Sequence, residues 1–444
     1  MRPLPIVGLA GFAASALIAA AAQAQQATPP AAPAPAPPAS WFDTIKLSGH
    51  IEAGVSGNPD SPANNINFGQ LFTDRDNALR MNQAMLTAER DLDPKATGWD
   101  FGFKLQGMYG TDAHITHFFN EFDRVTKSPY QWDIVEANAL VHMPLLTAGG
   151  IDWKLGQYST PMGYEVIDAT GNPLYSHSYI YNFGLPLKHT GVLATAHVTD
   201  WLDLWAGLDT GVNDSLGAKG INNGVFPKGL GGFGLNNLFG GKLTILALAH
   251  IGPENPRGLA SIYGTPVDAT EGLREIFDVV ISYKITDQLT ATTELNRIHD
   301  DYFKATGGGV AQYLTYQIND QWSITGRAEV FADQSGSDGF AGFVGQPTGP
   351  LDFVDGERGL LPNASYFANL NNGRPFNATY GELTIGATWK PPLPLGRVSL
   401  SLRPELRYDQ VIGGSNIKPF DVNAQGVGTK SGSFTLAMDA ILAF

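Results

Sequence analysis

The sequence predicts an all-β fold: a transmembrane antiparallel up-and-down β-barrel of sixteen strands with a constricting inward loop. Three observations predict the barrel. Segments along the whole chain alternate apolar and polar residues with period two, the connections between them are short and long by turns, and an export-type leader precedes a chain with no long apolar helix. Successive side chains of a strand point to opposite faces, so such segments build a sheet that is apolar on one side only. A chain without hydrophobic helices crosses a bilayer only as a closed barrel.

The elements follow in chain order. "MRPLPIVGLAGFAASALIAAAAQAQ" has one early charge, Arg2, an apolar run from Ile6 to Ala22 and the small-x-small triplet Ala22-Gln23-Ala24, the marks of a cleaved signal peptide over residues 1–24. Residues 25–40, "QQATPPAAPAPAPPAS", read as a Pro/Ala-rich tether without the apolar content to pack. The barrel takes residues 41–444. No stretch after the leader approaches the roughly eighteen apolar residues of a membrane-spanning helix. Cysteine is absent, so an exported chain of this size holds together without disulfides. Loss of Arg2 with the leader leaves 27 basic against 42 acidic residues, a balance that disfavours nucleic acid as a partner.

In "TIKLSGHIEAGVS", Ile45, Leu47, Ile51, Ala53 and Val55 alternate with Lys46, Ser48, His50, Glu52 and Ser56. "GWDFGFKLQGMYG" sets Trp99, Phe101, Phe103, Leu105 and Tyr109 against Asp100, Lys104 and Gln106. "FDVVISYKI", "WSITGRAEVFAD" and "RVSLSLRPELRYD" repeat the pattern, and "FTLAMDAILAF" carries it to Phe444 with Asp439 and Thr435 on the polar side. Helical spacing fits none of them. Clear segments start near Ile45, Leu79, Trp99, Asp133, Ile151, His189, Trp201, Lys242, Glu275, Leu289, Val310, Trp322, Tyr380, Arg397 and Phe434.

Tight connections such as Thr199-Asp200, Thr286 to Gln288 and Asn319-Asp320 alternate with long ones such as Tyr158 to Lys188 and Gln334 to Thr379. That alternation is the rule of outer-membrane barrels. It fails once, between the strands at Trp201 and Glu275. A Gly-rich strand around Gly229 to Asn237 with a turn at Leu238 to Gly241 restores it and makes sixteen. Trp99, Trp153, Trp322, Trp389 and Phe444 then fall on the apolar parity at one rim, where an aromatic girdle belongs.

"GQYSTPMGYE" (Gly156 to Glu165), "YSHSYIYNFGLPLKHTGVLAT" (Tyr175 to Thr195), "WLDLWAGLDTGVND" (Trp201 to Asp214), "GRAEVFAD" (Gly326 to Asp333) and "LRPELRYD" (Leu402 to Asp409) follow one another in this order over most of the chain. In these segments the chain resembles the OmpL-like β-barrel porins of Gram-negative outer membranes. The resemblance implies the barrel, residence in the outer membrane and a carboxy-terminal Phe read as an assembly signal. It also implies a long loop folded inward, as in general porins. None of the segments is a catalytic motif.

Chemistry elsewhere is sparse. "GLGGFG" (Gly229 to Gly234) has dinucleotide-site spacing but no helix after it, and reads as a Gly-rich strand. His114 and His117 are close in a loop without a carboxylate at ligand spacing, while His50, His142 and His197 fall on lumen parity as solvated residues, so no metal is expected. "DQSGSDG" (Asp333 to Gly339) lacks the closing acid of a calcium loop. No cofactor is expected.

The lumen charges remain. Arg327, Glu329 and Asp333 stand on one strand, and Arg397, Arg403, Glu405, Arg407 and Asp409 on another. They form either a self-neutralising ladder or, facing Glu165 and Asp168 of the long loop, the walls of an eyelet that selects among ions. The expected function is passive diffusion of small hydrophilic solutes and ions through a water-filled channel, with outer-membrane lipid around it; a homotrimer is an open assembly. Two other classes stay open: a non-conducting outer-membrane barrel with surface-binding adhesion loops, and an outer-membrane enzyme, for which no nucleophile motif is present.

Overall fold

The computed structural model describes residues 40–118, 121–122, 129–212, 214–215, 227–254, 272–301, 305–336, 376–394 and 396–444. Among them, sixteen antiparallel strands close into a barrel. These are β1 (Lys46–Gly57), β2 (Ala78–Arg90), β3 (Asp100–Gly110), β4 (Gln131–Met143), β5 (Ile151–Ser159), β6 (Lys188–Thr199), β7 (Leu202–Asp209) and β8 (Lys228–Asn237). They continue with β9 (Leu243–Gly252), β10 (Arg274–Lys284), β11 (Leu289–Asp300), β12 (Ala305–Gln317), β13 (Trp322–Gly336), β14 (Phe376–Trp389), β15 (Ser399–Gly414) and β18 (Gly432–Ala443). A hairpin of β16 (Phe420–Val422) and β17 (Gly428–Lys430) interrupts the last long connection, and helix α1 (Thr111–Thr116) follows β3.

The Gly-rich strand is present as β8, paired with β7 from Leu202–Leu235 to Asp209–Lys228 and with β9 from Gly229–Ile251 to Leu235–Ile245. Its glycines have a steric cause at Gly232, where a Cβ would stand 2.0 Å from the Ala247 carbonyl oxygen. Closure falls between β1 and β18, with His50 opposite Ala443 and Gly57 opposite Leu436. Phe444 completes it: its N–H donates to the Gly49 carbonyl (3.0 Å), and the Gly49 N–H donates to its carbonyl (3.2 Å).

The barrel is apolar outside and polar inside. On β1, Leu47 and Ile51 are 73% and 50% exposed, whereas His50 and Glu52 are buried. That polarity suits a lipid solvent. At the rim of short turns, Trp322 pairs with Trp389 in register and their rings stack 5.4 Å apart. Alternation breaks at bulges. Asn82 on β2 is an extra residue between the Glu52–Gln83 and Ala53–Met81 pairs, and β4 has the same defect at Val135 and Glu136. Each bulge turns two consecutive side chains inward: Asn82 with Gln83, and Val135 with Glu136, are all buried.

The interior is filled from the long-loop side. Residues 160–187, between β5 and β6, lie inside the barrel, joined by residues 58–77 and α1. Phe68 packs against Tyr380, and Tyr179 against Phe331, Phe183 and Tyr380. Residues Trp41–Thr44 form a 3₁₀ turn in a unit separate from the barrel, held by the Ser40 N–H donating to Asp43 Oδ2 at 2.8 Å. The expected leader, the tether up to residue 39 and most of the stretch from Gln334 to Thr379 lie outside the described residues.

Candidate functional site: the inward loop and its charged wall

Apart from short turns at Ala169–Gly171 and Ile180–Gly184, the segment 160–187 has no regular structure. Its buried backbone donors and acceptors must still be paired, and the barrel wall pairs them with charged side chains. Carboxylates take the N–H groups. Asp278 accepts from Gly163 (3.1 Å), Glu294 from Tyr164 (3.3 Å), Glu405 from Tyr175 (2.9 Å) and Ser176 (3.1 Å), and Glu329 from Tyr179 (2.6 Å) and Ile180 (2.8 Å). Guanidinium groups donate to the carbonyls. Arg403 reaches Ala169 (3.0 Å) and Asn172 (2.7 Å), Arg327 reaches Ser176 (2.7 Å), and Arg407 reaches His177 (2.6 Å). Bonds to charged groups contribute about 1.5–3 kcal/mol each, so this set offsets a large part of the cost of ordering an irregular segment, about 1–2 kcal/mol per residue of backbone.

Arg327 is the hub. It donates to Glu165 Oε1 at 2.7 Å and to both oxygens of Glu382 at 3.0 and 3.2 Å. Glu165 also accepts from the Ser178 N–H (3.0 Å) and Tyr313 Oη (3.1 Å), and lies 3.0 Å from His177 Nδ1. Burial by itself pushes the Glu165 carboxyl up, but Arg327, His177 and the Ser178 amide overturn that and hold it at about 2. Arg403 is clamped by Asp439 (3.0 Å) and Glu52 (2.9 Å), and Arg407 by Asp409 (2.8 Å). Two wall glycines make room for the loop: a Cβ on Gly54 would meet the Tyr175 ring at 2.5 Å, and one on Gly386 would meet Leu174 at 2.6 Å.

Of the residues singled out in the sequence, Arg327, Glu329, Arg403, Glu405, Arg407, Asp409 and Glu165 come together in this lattice, all buried. Asp333 is buried on β13. Asp168 lies on the loop, where it caps its own turn through Thr170 (3.0 Å) and accepts from Gln106 (3.2 Å). Arg397 is exposed in the turn before β15. His197 is partly exposed, but His50 and His142 are buried and hydrogen-bonded to Gln83 and Asp152, against the expectation of solvated rings. Sequence reasoning missed Asp278, Glu294, Glu382 and Asp439 as parts of the lattice. Their signal was the inward parity of a carboxylate within an alternating strand.

Beneath the loop, towards the rim of short turns, a cavity of about 570 Å³ is lined by loop residues Tyr164 and Ala169 to Pro173 and by a wall of Thr290, Thr315, Ser323, Thr388, Lys390, Ser399, Ser401, Arg403, Ile441 and Ala443. Hydroxyl groups dominate that wall.

Solved structures share this fold. The outer membrane channel DcaP of Acinetobacter baumannii has a TM-score of 0.52 at 12% identity, over 90% of this chain and 97% of that one. An anion-selective porin from Comamonas acidovorans has a TM-score of 0.52 at 12% identity, over 90% and 99%. Pseudomonas putida OprB at high pH has a TM-score of 0.50 at 14% identity, over 91% and 95%. At such identities the likeness is one of fold. No curated protein matches the sequence. The family model described as "Putative beta-barrel porin-2, OmpL-like" matches residues 44–444, and with the closed sixteen-stranded barrel in place the chain belongs to that family of outer-membrane porins.

Proposed function

We propose that the protein is a diffusion porin, passing small hydrophilic solutes and ions through a water-filled lumen with no covalent step. The observation that carries this reading is the loop 160–187 held across the interior of a sixteen-stranded barrel by the charged wall. Barrels of that size leave an aqueous interior unless something fills it, and a pinned loop narrows the bore to a fixed size. In this proposal the lattice residues, from Arg327 to Asp409 with Glu165, act chiefly by holding the loop. Solutes meet the hydroxyl-rich cavity, with Lys390 and Arg403 in its wall, and the partly exposed Asp168. The proposal includes export by a leader over 1–24, a tether over 25–40 and a homotrimer in the membrane.

A second reading has its own observation. The aromatic packing of Phe68, Tyr179, Phe331 and Tyr380 inside the barrel suits a closed barrel whose outer loops bind a surface. Planar-bilayer recording of the purified protein separates the two. Steady conductance steps, with a reversal potential measured under a salt gradient, support the porin. Folded protein that inserts and never conducts overturns it in favour of surface binding.

A further inference from the structure

Away from the arginine lattice, the wall of β6, β7 and β9 carries a different cluster. His189 stands near the start of β6, Asp209 ends β7, and His250 lies near the end of β9, all three with fully buried side chains. His250 Nε2 is 3.0 Å from Asp209 Oδ1, and His189 Nδ1 is 3.2 Å from Asp209 Oδ2. Their ligand-type atoms all lie within 4.8 Å of one another. We propose that His189 Nδ1, the Asp209 carboxylate and His250 Nε2 bind one divalent transition-metal ion of the zinc class.

Three features support the site. The first is spacing: bonds of about 2.0–2.2 Å to nitrogen and oxygen put neighbouring ligands of a four-coordinate ion roughly 3.0–3.5 Å apart, the separation of each imidazole from the Asp209 carboxylate here. The second is the supply of unused polar atoms. Among the described residues, His250 Nδ1, Glu254 Oε1 and Tyr158 Oη are buried without a hydrogen-bond partner. Native interiors leave few such groups, because each costs about 1–3 kcal/mol.

The third is the outer shell. Metal-binding imidazoles turn their second nitrogen to an oxygen that orients the ring. His189 Nε2 lies 3.0 Å from Thr160 Oγ1, and His250 Nδ1 faces Glu254 Oε1 at 3.8 Å. Gly211 N–H donates to Asp209 Oδ1 (2.8 Å) and Val212 N–H to Glu254 Oε2 (3.1 Å), fixing both carboxylates. Asp209 and Glu254 outnumber Lys228, whose ammonium donates to the Thr210 carbonyl at 2.5 Å. With neutral imidazoles that surplus of negative charge matches a divalent cation. Two imidazole ligands with one carboxylate suit zinc, cobalt or nickel rather than magnesium or calcium. A metal here would tie three strands to Thr160, the first residue of the inward loop, and so fix the loop at its root.

The competing account is that both imidazoles are protonated and balance the carboxylates without metal. The full-length protein, extracted in detergent and stripped with EDTA, is titrated with Co²⁺ and then Zn²⁺. The expected result is one equivalent of Co²⁺ with a visible d–d absorption, displaced by Zn²⁺, and a higher melting temperature with Zn²⁺ than with EDTA. Glu254→Gln should weaken binding roughly 10- to 100-fold, and His189→Gln or His250→Gln by more. The variant His114→Gln should bind as wild type does. Absent stoichiometric binding, or binding unchanged in both ligand variants, overturns the site. If those variants do not fold, zinc-edge X-ray absorption of the wild type decides. Two imidazoles in the shell support the site, and a shell of oxygens alone refutes it.

Discussion

Replacing Arg327 with methionine keeps most of the stem and removes the guanidinium. In the barrel that group is buried and donates to Glu165, to the Ser176 carbonyl (2.7 Å) and hydroxyl (3.1 Å), and to Glu382. Removing one partner of a buried ion pair costs about 3–5 kcal/mol. Roughly half of the contacts reach the loop and half the wall, so about 1.5–2.5 kcal/mol falls on loop docking, a change of roughly 13- to 70-fold in the population with the loop released. The strand itself should persist, because β13 pairs along its length with β12 and β14. Two assays read the outcome. Single-channel conductance should become larger and noisier at equal folded yield. Chymotrypsin should cut at Tyr175, Tyr179, Tyr181 or Phe183, which are buried in the docked loop. Unchanged conductance with unchanged resistance to chymotrypsin would refute the claim that Arg327 pins the loop, and with it the location of the constriction.

Deleting Phe444 removes the paired groups that close the barrel against Gly49, so heat-modifiable protein in the outer-membrane fraction should fall sharply; wild-type yield would sink that idea. The Glu165 carboxyl, held at about 2 against an ordinary 4.5, stabilises docking fully above pH 4.5 and loses that contribution as pH falls from 4.5 towards 2. Conductance should accordingly stay level between pH 7 and pH 5 (about half a unit clear of the window) and rise only below it. Removing residues 25–40 while keeping the leader should leave the melting temperature unchanged, since Pro/Ala sequence has little to bury; a large drop would mean that the segment packs in the lumen. Replacing Arg403 and Arg407 with glutamate places two more carboxylates beside Asp439, Glu52 and Asp409, so the main effect should be a released loop, read as higher conductance, with the reversal potential moving towards cations. Lower conductance would contradict it.

By itself the sequence determined which residues face lipid and which face inward, because that depends on the period-two alternation within each strand. It determined the number of strands, down to the Gly-rich β8, because short and long connections must alternate in a closed barrel. It also identified residues 158–188 as a long insertion and Arg327, Arg403 and Arg407 as inward charges. Tertiary structure decided what those charges do. An isolated strand shows an arginine on its polar side. Only closure brings Ser176, Ala169 and Asn172 to that arginine, where the irregular loop needs donors for its carbonyls. The bulges at Asn82 and Val135, which turn two successive side chains inward, are likewise invisible to alternation, since a bulge is a mismatch between two strands and belongs to neither sequence alone. The same holds for His189, Asp209 and His250: nothing in their spacing along the chain marks a cluster, and they meet because four adjacent strands curve around one lumen.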